Sequence, residues 1–589
     1  MLVGALGILL LVSFLPLAGS QPASANPDRL KWSAIETPCG KGYVVVTPSE
    51  INTFVMNNNT FYALDIPTWH DDNGNGSRDP NETGMVYKST DAGVTWENDT
   101  TKALLDAGAK LPAWDIAVAP DNSDFVAVVT DNRTAVYTSE DGGDKWKNAT
   151  YFNLNNTLIS DIAISLEYEV VGETYRDIAI GTRNPTSPTN GGVLTTTWSD
   201  RFIPWADQKL RADITTVRFS SNYDDDEKLF AIASWVNGTY LCWGQRYDVV
   251  ETHDSTDWKT PTEISASLGA SPKKNEVIFS DLTLPSDQDY STKDWIAYAS
   301  YYSNTTYDDV YLLEIINDNG AGYRLNATKG TGAGIASIDY IVSKNILIAG
   351  EVSAEANSAS ALIHYCTDPI LGMSASLDWK VPTKPPTGGA VLPGRANALV
   401  RWTTTGILYC ATSTNNVTTA TAWANMTLPG PWSGNNVTQP DESAFSRSND
   451  DGDSWNQLSL IDTQMYRLWD YASSANNSVL YLASVNNYTP FHSLWRTEAA
   501  TEPLAETWER VLCFAGGADI ILRPTPEGAE TERIYFALPG TQTVRYSEDR
   551  GQSWTRLSRC PEVTDIAVVS DELVYILSDE MLNKYSWNA

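Results

Sequence analysis

The stretch Ser139-Glu140-Asp141-Gly142-Gly143-Asp144-Lys145-Trp146 is the most informative part of the sequence, because its pattern Ser-x-Asp-x-Gly-x-x-Trp occurs four times along the chain. The structural positions of the four copies are Ser89, Asp91, Gly93 and Trp96; Ser139, Asp141, Gly143 and Trp146; Ser448, Asp450, Gly452 and Trp455; and Ser547, Asp549, Gly551 and Trp554. The Asp carboxylate can accept hydrogen bonds from N–H groups of its own turn, and the Gly can take a positive φ. The Trp ring can then pack between neighbouring sheets. The pattern predicts four hairpin turns.

A second repeat runs between these turns. It is a short strand of the type Asp-Ile-Ala-Val followed by another apolar strand, with clear copies at Asp115, Asp161 and Asp565 and a first member at Ile51. The spacing of roughly 57 residues fits four-stranded units with some long loops, since propeller repeats run about 40 to 50 residues. Helix-period patterns are nearly absent. The chain is therefore predicted to be all-β.

These four turns resemble the Asp-box (BNR-type) β-propeller family, in which the box lies on the outer part of each blade and serves folding. The resemblance implies a propeller over residues 26–589. About ten repeats favour one ring of about ten blades, similar in size to the sortilin-type receptor propeller, and two smaller propellers divided near residues 381–389 are the alternative. The single ring would close by pairing residues 30–35 with the final sheet at residues 584–587.

The N-terminus predicts export. Residues 2–18 are nearly all apolar, and small residues at Ala23 and Ala25 fit cleavage before Asn26. We therefore interpret residues 1–25 as a signal peptide; an uncleaved anchor is the alternative, although roughly 17 apolar residues are short for a membrane span. The mature chain is expected at the cell surface or outside the cell, with no membrane span after cleavage. It resembles secreted prokaryotic surface glycoproteins.

Glycosylation motifs and cysteines agree with that location. Asn-x-Ser/Thr sequons occur at Asn58, Asn75, Asn81, Asn98, Asn132, Asn148, Asn155, Asn237, Asn304, Asn326, Asn416, Asn425, Asn436, Asn476 and Asn487. The six cysteines are an even number without a CxxC pair, so disulfides are permitted and a thiolate zinc site is disfavoured. A bond between Cys39 and Cys560 would join the two ends of the chain. We expect heavy N-glycosylation.

Charge and composition exclude several functions. Lys and Arg total 40 against 73 Asp and Glu, a net charge of −33, which disfavours binding to nucleic acid. The four histidines, His70, His253, His364 and His492, have no metal-ligand spacing. No arginine cluster of the sialidase type stands out, and among so many carboxylates no hydrolase pair is singled out. We expect no catalytic residues and no organic cofactor.

Residues 71–82 match the spacing of an EF-hand calcium loop. The oxygen ligands would be Asp71, Asn73, Asn75, the carbonyl of Ser77, Asp79 and Glu82, with Gly76 at the turn. Such hard oxygen ligands suit Ca²⁺. No helical pattern flanks the loop, so we interpret it as a single structural calcium site inserted before the first Asp-box. Asn75 and Asn81 are also sequons, and a glycan on Asn75 would hinder ligation.

These features favour an exported, glycosylated, acidic β-propeller that acts as a structural or adhesive protein, as a surface-layer or filament subunit. Self-association is the expected interaction, and a glycan or peptide ligand stays open. Two alternatives are a secreted Asp-box glycoside hydrolase and a sortilin-like ligand-binding propeller.

Overall fold

The structure is a computed structural model. It describes residues 37–39, 42–47, 49–69, 83–154, 156–184, 190–199, 204–246, 256–274, 276–303, 305–328, 334–352, 363–370, 377–386, 396–403, 405–414, 442–474, 478–486, 491–498, 507–515, 519–526, 533–570, 572–579 and 581–586. Pro38–Ala589 form one compact unit. Its described strands fall into ten successive antiparallel groups, called sheets 1 to 10 below.

The strands follow one another in chain order. Sheet 1 holds β1 (Ile51–Asn57), β2 (Thr60–Trp69) and β3 (Thr83–Ser89); sheet 2 holds β4 (Asp115–Val118), β5 (Val126–Thr130), β6 (Ala135–Ser139) and β7 (Lys147–Asn148); sheet 3 holds β8 (Leu158–Ile164), β9 (Tyr168–Val170), β10 (Glu173–Arg183), β11 (Gly192–Trp198) and β12 (Ala206–Asp207); sheet 4 holds β13 (Asp213–Phe219), β14 (Lys228–Trp235), β15 (Gly238–Arg246), β16 (Thr256–Trp258) and β17 (Thr262–Glu263); sheet 5 holds β18 (Val277–Thr283), β19 (Trp295–Ser303), β20 (Asp309–Ile316) and β21 (Asn319–Arg324).

The second half continues in the same way. Sheet 6 holds β22 (Gly334–Ile341), β23 (Ile346–Val352) and β24 (Ile363–Thr367); sheet 7 holds β25 (Ala396–Trp402), β26 (Leu408–Thr414), β27 (Phe445–Ser448) and β28 (Asn456–Ser459); sheet 8 holds β29 (Met465–Ser473), β30 (Leu480–Asn486), β31 (Phe491–Thr497) and β32 (Glu509–Ala515); sheet 9 holds β33 (Ile521–Pro524), β34 (Ile534–Leu538), β35 (Thr543–Ser547) and β36 (Thr555–Arg556); sheet 10 holds β37 (Asp565–Ser570), β38 (Leu573–Leu577) and β39 (Leu582–Ser586).

Helices are few and short among the described residues. They are α1 (Asp99–Asp106), α2 (Tyr223–Asp226) and 3-10 turns at Ala266–Leu268 and Val342–Lys344. None of these is long and apolar enough to cross a membrane. The prediction of an all-β chain is confirmed.

The second strand of sheet 2, β5, shows why these residues form stacked sheets. β5, with the sequence Val-Ala-Val-Val-Thr, is buried at all five positions. β-Branched residues favour extended backbone, and a strand covered on both faces loses the usual alternation of apolar and polar residues. One face of β5 contributes Val126 and Val128 to the core shared with sheet 1, and the other contributes Ala127 and Val129 to the core shared with sheet 3.

The first strands of sheets 1 to 7 contact one another in a closed cycle. The contacts run β1–β4, β4–β8, β8–β13, β13–β18, β18–β22 and β22–β25, and β1 then contacts β25 and β26. The apolar core between sheets 7 and 1 contains Phe54 and Phe61 together with Tyr409 and Phe445. Ring centroids of Phe61 and Tyr409 lie 4.8 Å apart. These sheets, residues 51–459, are called the seven-sheet ring.

The expectation of one ring of about ten sheets is therefore wrong for the described residues. The aromatic contacts between sheets 1 and 7 fill the face of sheet 1 that a tenth sheet would need. Two smaller groups of sheets, the alternative interpretation, agree better with these contacts, but the division falls between Ser459 and Met465 and not near residues 381–389. Residues 30–35, which were expected to close a larger ring, lie outside the described residues.

Sheets 8 to 10, residues 465–586, are called the three-sheet unit. Their first strands contact one another in the order β29–β33–β37. Separate apolar cores lie between sheets 8 and 9 and between sheets 9 and 10. Several apolar side chains of β29 and of sheet 10 remain exposed, among them Tyr466 (69%), Tyr471 (72%) and Leu582 (66%).

The junction between ring and unit is built from outer strands and buried charges. Gln457 of β28 pairs with Arg510 of β32. The Arg510 guanidinium also lies 2.5 Å from Glu442, and both side chains are fully buried. Lys384 Nζ donates to Asn456 Oδ1 at 2.6 Å, and to the carbonyls of Val511 and Gly551 at 3.0 and 2.8 Å. Burial lowers the pKa of Lys384 to about 7.

The four Ser-x-Asp-x-Gly-x-x-Trp turns share one hydrogen-bond pattern. The Ser hydroxyl donates to the Asp carboxylate at 2.7–2.9 Å, and the Gly N–H donates to the Ser Oγ at 2.7–3.0 Å. The N–H before the Trp donates to the same carboxylate at 2.8–2.9 Å. The Gly φ angles lie between +80° and +95°, which explains the choice of glycine.

Each of these tryptophans packs against the sheet that precedes its own. Trp146 lies in the core with sheet 1, Trp455 in the core with sheet 6, and Trp554 packs at the core with sheet 8. For sheet 1 the preceding sheet is sheet 7: the rings of Trp96 and Phe445 are 5.2 Å apart, and Trp96 Nε1 donates to Ser459 Oγ at 2.7 Å. The turns therefore fix the stacking of the sheets.

The cysteines are free. Cys242, Cys366, Cys410 and Cys560 are buried, Cys513 is half-buried and Cys39 is exposed. The disulfides that the even number of cysteines permits, including Cys39–Cys560, are not formed, and the buried thiols lie on different sheets of the stack. The signal peptide (1–25) and the calcium loop (71–82) fall outside the described residues. The strands β2 and β3 on either side of that loop pair with each other, with Trp69 opposite Thr83.

Candidate functional site

A cavity of about 610 Å³ lies at the centre of the seven-sheet ring. Residues of the first strands of all seven sheets line it. Its walls combine aromatic rings, such as Trp114 and Phe279, with the hydroxyls of Thr215 and Ser280 and a set of charged side chains. A central concave site of this size is the expected location for a ligand of a ring-shaped fold.

Seven charged residues line the cavity. One is Arg183, at the end of β10 of sheet 3, and the other six occupy one equivalent position on successive first strands. Those six are Asp115, Asp161, Arg218, Asp281, Asp339 and Arg401, one from each of sheets 2 to 7. We call them the belt. Each belt aspartate precedes an apolar residue of its strand, as in Asp-Ile, Asp-Leu and Asp-Tyr, and each belt arginine follows a valine. The belt therefore places two carboxylates followed by one guanidinium, twice in succession, around one level of the cavity.

Belt carboxylates hold the next sheet by accepting its main-chain N–H. Asp161 Oδ2 accepts the N–H of Val217 at 2.6 Å and a guanidinium N–H of Arg218 at 2.7 Å. The other arm of Arg218 donates to Asp281 Oδ1 at 2.9 Å. One arginine thus connects three sheets. Hydrogen bonds in which one partner is charged are stronger than neutral ones, so this contact fixes the spacing of sheets 3, 4 and 5.

The same arrangement recurs on the opposite side of the cavity. Asp281 Oδ2 accepts the N–H of Ile338 at 3.0 Å and Arg401 Nη1 at 3.1 Å. Asp339 Oδ2 accepts the N–H of Trp402 at 2.7 Å. Asp281 is almost fully buried, with 6% of its side chain exposed, whereas Arg218 and Arg401 each keep 29% exposed to the cavity. The arginines are the more accessible charges.

The electrostatic balance differs around the belt. Burial and the neighbouring Asp161 carboxylate hold the pKa of Asp115 well above its ordinary value. Burial also raises the pKa of Asp161, against the opposing effect of Arg218. Burial raises the pKa of Asp339 to about 6, again against an arginine, Arg401. For Asp281 the effect of burial is outweighed by Arg401 and Arg218, and its pKa lies below the ordinary value.

The three-sheet unit carries the same contact in exposed form. Arg523 of sheet 9 lies 3.2 Å from Asp470 of sheet 8 and 3.5 Å from Asp565 of sheet 10. Asp470 also accepts the N–H of Leu522 at 2.9 Å, just as Asp161 accepts that of Val217. About half of the Asp565 side chain is exposed. Sheets 8 to 10 therefore repeat the ring's inter-sheet contact without an enclosed cavity around it.

The residues singled out from the sequence lie elsewhere. None of the Asp-box residues lines the central cavity, and their aspartates bond within their own turns. Among the described sequons, Asn58, Asn132, Asn148, Asn237 and Asn326 are exposed and Asn98 is half-buried. Asn75, Asn81, Asn155, Asn304, Asn416, Asn425, Asn436, Asn476 and Asn487 fall outside the described residues, as do the proposed calcium ligands.

Sequence reasoning missed the belt. The Asp-Ile-Ala-Val repeat was recognised only as a strand, and the arginines were too few to suggest a cluster. A usable signal was present in Val217-Arg218-Phe219 and Val400-Arg401-Trp402, where a charged residue interrupts an apolar first strand at the position of the repeated Asp. Some first strands carry an aspartate at that position and others an arginine, and this indicates ion pairs between different sheets of the ring.

Several solved structures share some likeness with this chain. Neither the family models nor the curated proteins searched give a match. Among solved structures, the chain is similar to the GH74 enzyme of Niastella koreensis (14% identity, 91% of this chain and 76% of that chain, TM-score 0.36) and to the GH74 xyloglucanase of Xanthomonas campestris (12%, 92% and 78%, TM-score 0.34). It is also similar to YCF48 from Cyanidioschyzon merolae (13%, 65% and 97%, TM-score 0.36). These structures are β-propellers.

The fold is that of a β-propeller. At such low identities the likeness concerns the arrangement of sheets alone, and the substrate of the xyloglucanase is a property of that enzyme. What this propeller does must be argued from its own cavity, surfaces and charges.

Proposed function

We propose that this β-propeller is an exported, N-glycosylated, acidic protein of the Asp-box type that acts as a structural or adhesive subunit at the cell surface by associating with further copies of itself. The observation that carries the proposal is the open face of the three-sheet unit. Within the ring, every sheet covers its neighbour. In sheet 10 the face directed away from sheet 9 keeps Ala567, Leu577 and Leu582 exposed.

The chemistry of that face suits association. Leu577 and Leu582 pair on adjacent strands, and Met581 beside them is 64% exposed. A contiguous apolar surface of this kind marks protein contact more often than scattered single residues do. The same sheet faces are covered by another sheet everywhere in the ring, so a second copy is the partner with the matching architecture. Closed homo-oligomers are also the commonest assemblies of soluble proteins.

Surface chemistry supports an extracellular place of action. The five exposed sequons lie in turns or at strand ends, where a glycan can extend into solvent. The net charge of −33 favours solubility and disfavours binding to nucleic acid. We further propose that residues 71–82 bind one structural Ca²⁺, on the basis of the ligand spacing in the sequence.

The hydrolase alternative has less support from the cavity. An inverting glycosidase needs one carboxyl group to donate a proton to the leaving group and one carboxylate to activate water. Asp161, Asp281 and Asp339 all accept main-chain N–H groups of the next sheet. Those carboxylates are engaged in holding the ring together, so the belt is better explained as structure than as a pair of catalytic acids.

The test is the assembly state of the full chain purified with calcium. Light scattering after size exclusion and electron microscopy should show dimers, filaments or a lattice. The double variant Leu577→Lys with Leu582→Lys should dissociate them. A matched control is Val171→Lys, because Val171 is fully exposed on the ring and lies outside the open face. A monodisperse monomer for the unmodified protein, or equal assembly by the double variant, would contradict the proposal.

A further inference from the structure

The central cavity contains more carboxylates than cations to balance them. Its belt has four aspartates and two arginines, and a third lining arginine, Arg183, donates to the carbonyls of Ile278 and Val277 at 3.0 and 2.7 Å. Both belt arginines contact Asp281, and Arg218 also contacts Asp161. No Lys, Arg or His of the described residues lies within ion-pair distance of Asp115. The charge of Asp115 is therefore not balanced by a direct ion pair.

Asp115 has few partners. Its Oδ1 accepts the N–H of Ile116 at 2.9 Å, and the charge that acts on it most strongly is the Asp161 carboxylate. Two adjacent carboxylates in a partly buried place repel each other unless a proton or another cation is shared between them. Arg218 forms an ion pair with Asp161 and not with Asp115, so a proton or a cationic ligand on Asp115 would relieve the remaining repulsion.

Aromatic rings line the same cavity. Trp114 precedes Asp115 on the chain and lines the cavity, as does Phe279. Trp114 already attracts a cation on one side, since the Arg133 guanidinium lies 4.7 Å from its ring centroid. Aromatic faces together with carboxylates are the groups by which proteins recognise organic ammonium ions.

We propose that the central cavity of the seven-sheet ring binds a compact organic cation, whose ammonium group lies against Asp115 and Asp161 and whose carbon skeleton contacts Trp114 and Phe279. This binding site is separate from the open face of the three-sheet unit and does not depend on self-association.

Size and lining favour an organic cation over a bare metal ion. The volume of about 610 Å³ lies within the range of small-molecule sites, roughly 300 to 1,000 Å³, and is far larger than a dehydrated ion. In the parts of the chain that the structure describes, no three His, Cys, Asp or Glu side chains are arranged to hold a metal. Apolar side chains such as Ile116 and Ile278 complete the wall.

Binding should be coupled to a proton. Burial and the Asp161 carboxylate raise the pKa of Asp115. The charged groups that act on Asp115 are Asp161 from sheet 3 and Arg218 from sheet 4. Asp281 of sheet 5 contacts the same arginine, Arg218. An ammonium ion replaces the proton as the cation of the pair. Affinity should therefore increase with pH until Asp115 is ionised, and binding at lower pH should release a proton.

The experiment is calorimetric titration of the full chain with choline and putrescine, with xylose as a neutral probe. The expected result is binding of an ammonium probe, and Asp115→Asn should weaken it by about 10- to 100-fold, the range for loss of a charged hydrogen-bonding partner. The matched control is Asp565→Asn, which changes the corresponding aspartate of the three-sheet unit and should leave affinity unchanged. Thermal unfolding of both variants verifies that they are folded.

Three outcomes would overturn the proposal. They are no binding of either ammonium probe, equal binding by the Asp115→Asn variant, and binding of xylose that exceeds binding of the cations. A second measurement does not rely on any variant. Titration of the unmodified protein in buffers of different ionisation enthalpy should reveal proton release at mildly acidic pH, and an absence of proton release there would also contradict the proposal.

Discussion

The seven-sheet ring and the three-sheet unit use the same contact in two environments. Asp161, Arg218 and Asp281 connect sheets 3, 4 and 5 inside a cavity, and Asp470, Arg523 and Asp565 lie in the corresponding places on sheets 8, 9 and 10. The ring closes on itself through sheets 7 and 1, so its first strands carry no exposed residue at any position whose burial is described. Two of the three first strands of the unit, β29 and β37, do carry exposed residues.

This difference shows that the belt does not close a ring by itself. Closure also requires a complementary apolar face, and in the ring that face is the cluster of Phe54, Phe61, Tyr409 and Phe445. The unit has the equivalent contact between Asp470, Arg523 and Asp565, and it has two internal cores. Its outer faces nevertheless expose Tyr466, Leu468, Leu577 and Leu582 to solvent. The comparison predicts how the two regions respond to substitution.

The largest effect is expected at the closing interface. The ring centroid of Phe445 lies 5.2–5.6 Å from the ring centroids of Phe54, Trp96 and Tyr409. Phe445→Ala should lower the free energy of unfolding of the ring by about 3–5 kcal/mol through the cavity that it creates. Urea unfolding followed by tryptophan fluorescence measures this loss.

The control for that variant is Phe536→Ala in the three-sheet unit, where Phe536 packs on Phe514 and Trp554. It should destabilise the unit and leave the transition of the ring in place. Equal effects of both substitutions on one common transition would show that the two regions do not unfold separately.

A smaller effect is expected in the belt. Arg218→Met leaves the mostly buried Asp161 without its cation and Asp281 with Arg401 alone, and should cost about 3 kcal/mol. Arg523→Met removes the equivalent arginine where the pair is more exposed to water, and should cost about 1 kcal/mol or less. Chemical denaturation of the two variants compares them directly. A larger loss of unfolding free energy for Arg523→Met than for Arg218→Met would contradict this prediction.

The belt should also give the ring a pH dependence. Burial raises the pKa of Asp339 to about 6 in the folded protein, against an unfolded value of about 4. Its contribution to stability is therefore complete below about pH 4 and is lost as the pH rises through about 6, by at most about 3 kcal/mol. Asp339→Asn should remove this slope from the stability of the ring. An unchanged pH profile for the variant would be the contrary result.

The smallest expected effect is that of calcium. The predicted loop at residues 71–82 lies in the sequence between β2 and β3 of sheet 1, so chelation should lower the unfolding temperature of the ring by a few degrees and leave the three-sheet unit unchanged. Differential scanning calorimetry with and without chelator measures this shift. Glu82→Gln should reproduce it in the presence of calcium, and a chelator effect confined to the unit would contradict the assignment.

Local features of this fold could be predicted from the sequence and long-range ones could not. The pattern around Asp141 predicts a turn because all of its hydrogen bonds join residues within four positions of one another. The number of sheets also follows from the strand repeat. The partner of sheet 1 does not, because Phe54 and Phe445 belong to distant parts of the chain and nothing local distinguishes a closure after seven sheets from one after ten.

The candidate site was hidden for a related reason. Asp115 and Asp161 were visible as members of a strand repeat, but their roles depend on which sheets become neighbours. Arg218 looks unremarkable until β13 is placed between β8 and β18. The expectation that no arginines cluster was drawn from their low number, whereas a closed ring brings two of them to one aspartate, Asp281.

The closure of the ring after seven sheets is tested most directly by three distances, which run from the first Asp-box turn to each of the other three. Spin labels at Thr90, Glu140, Asn449 and Glu548, all exposed second residues of the box, can be compared by pulsed electron paramagnetic resonance after Cys39→Ser removes the exposed native thiol. The account predicts similar distances from residue 90 to residues 140 and 449, because sheets 2 and 7 both flank sheet 1. A distance to residue 449 much longer than that to residue 140, and longer than that to residue 548, would contradict a ring that closes after seven sheets.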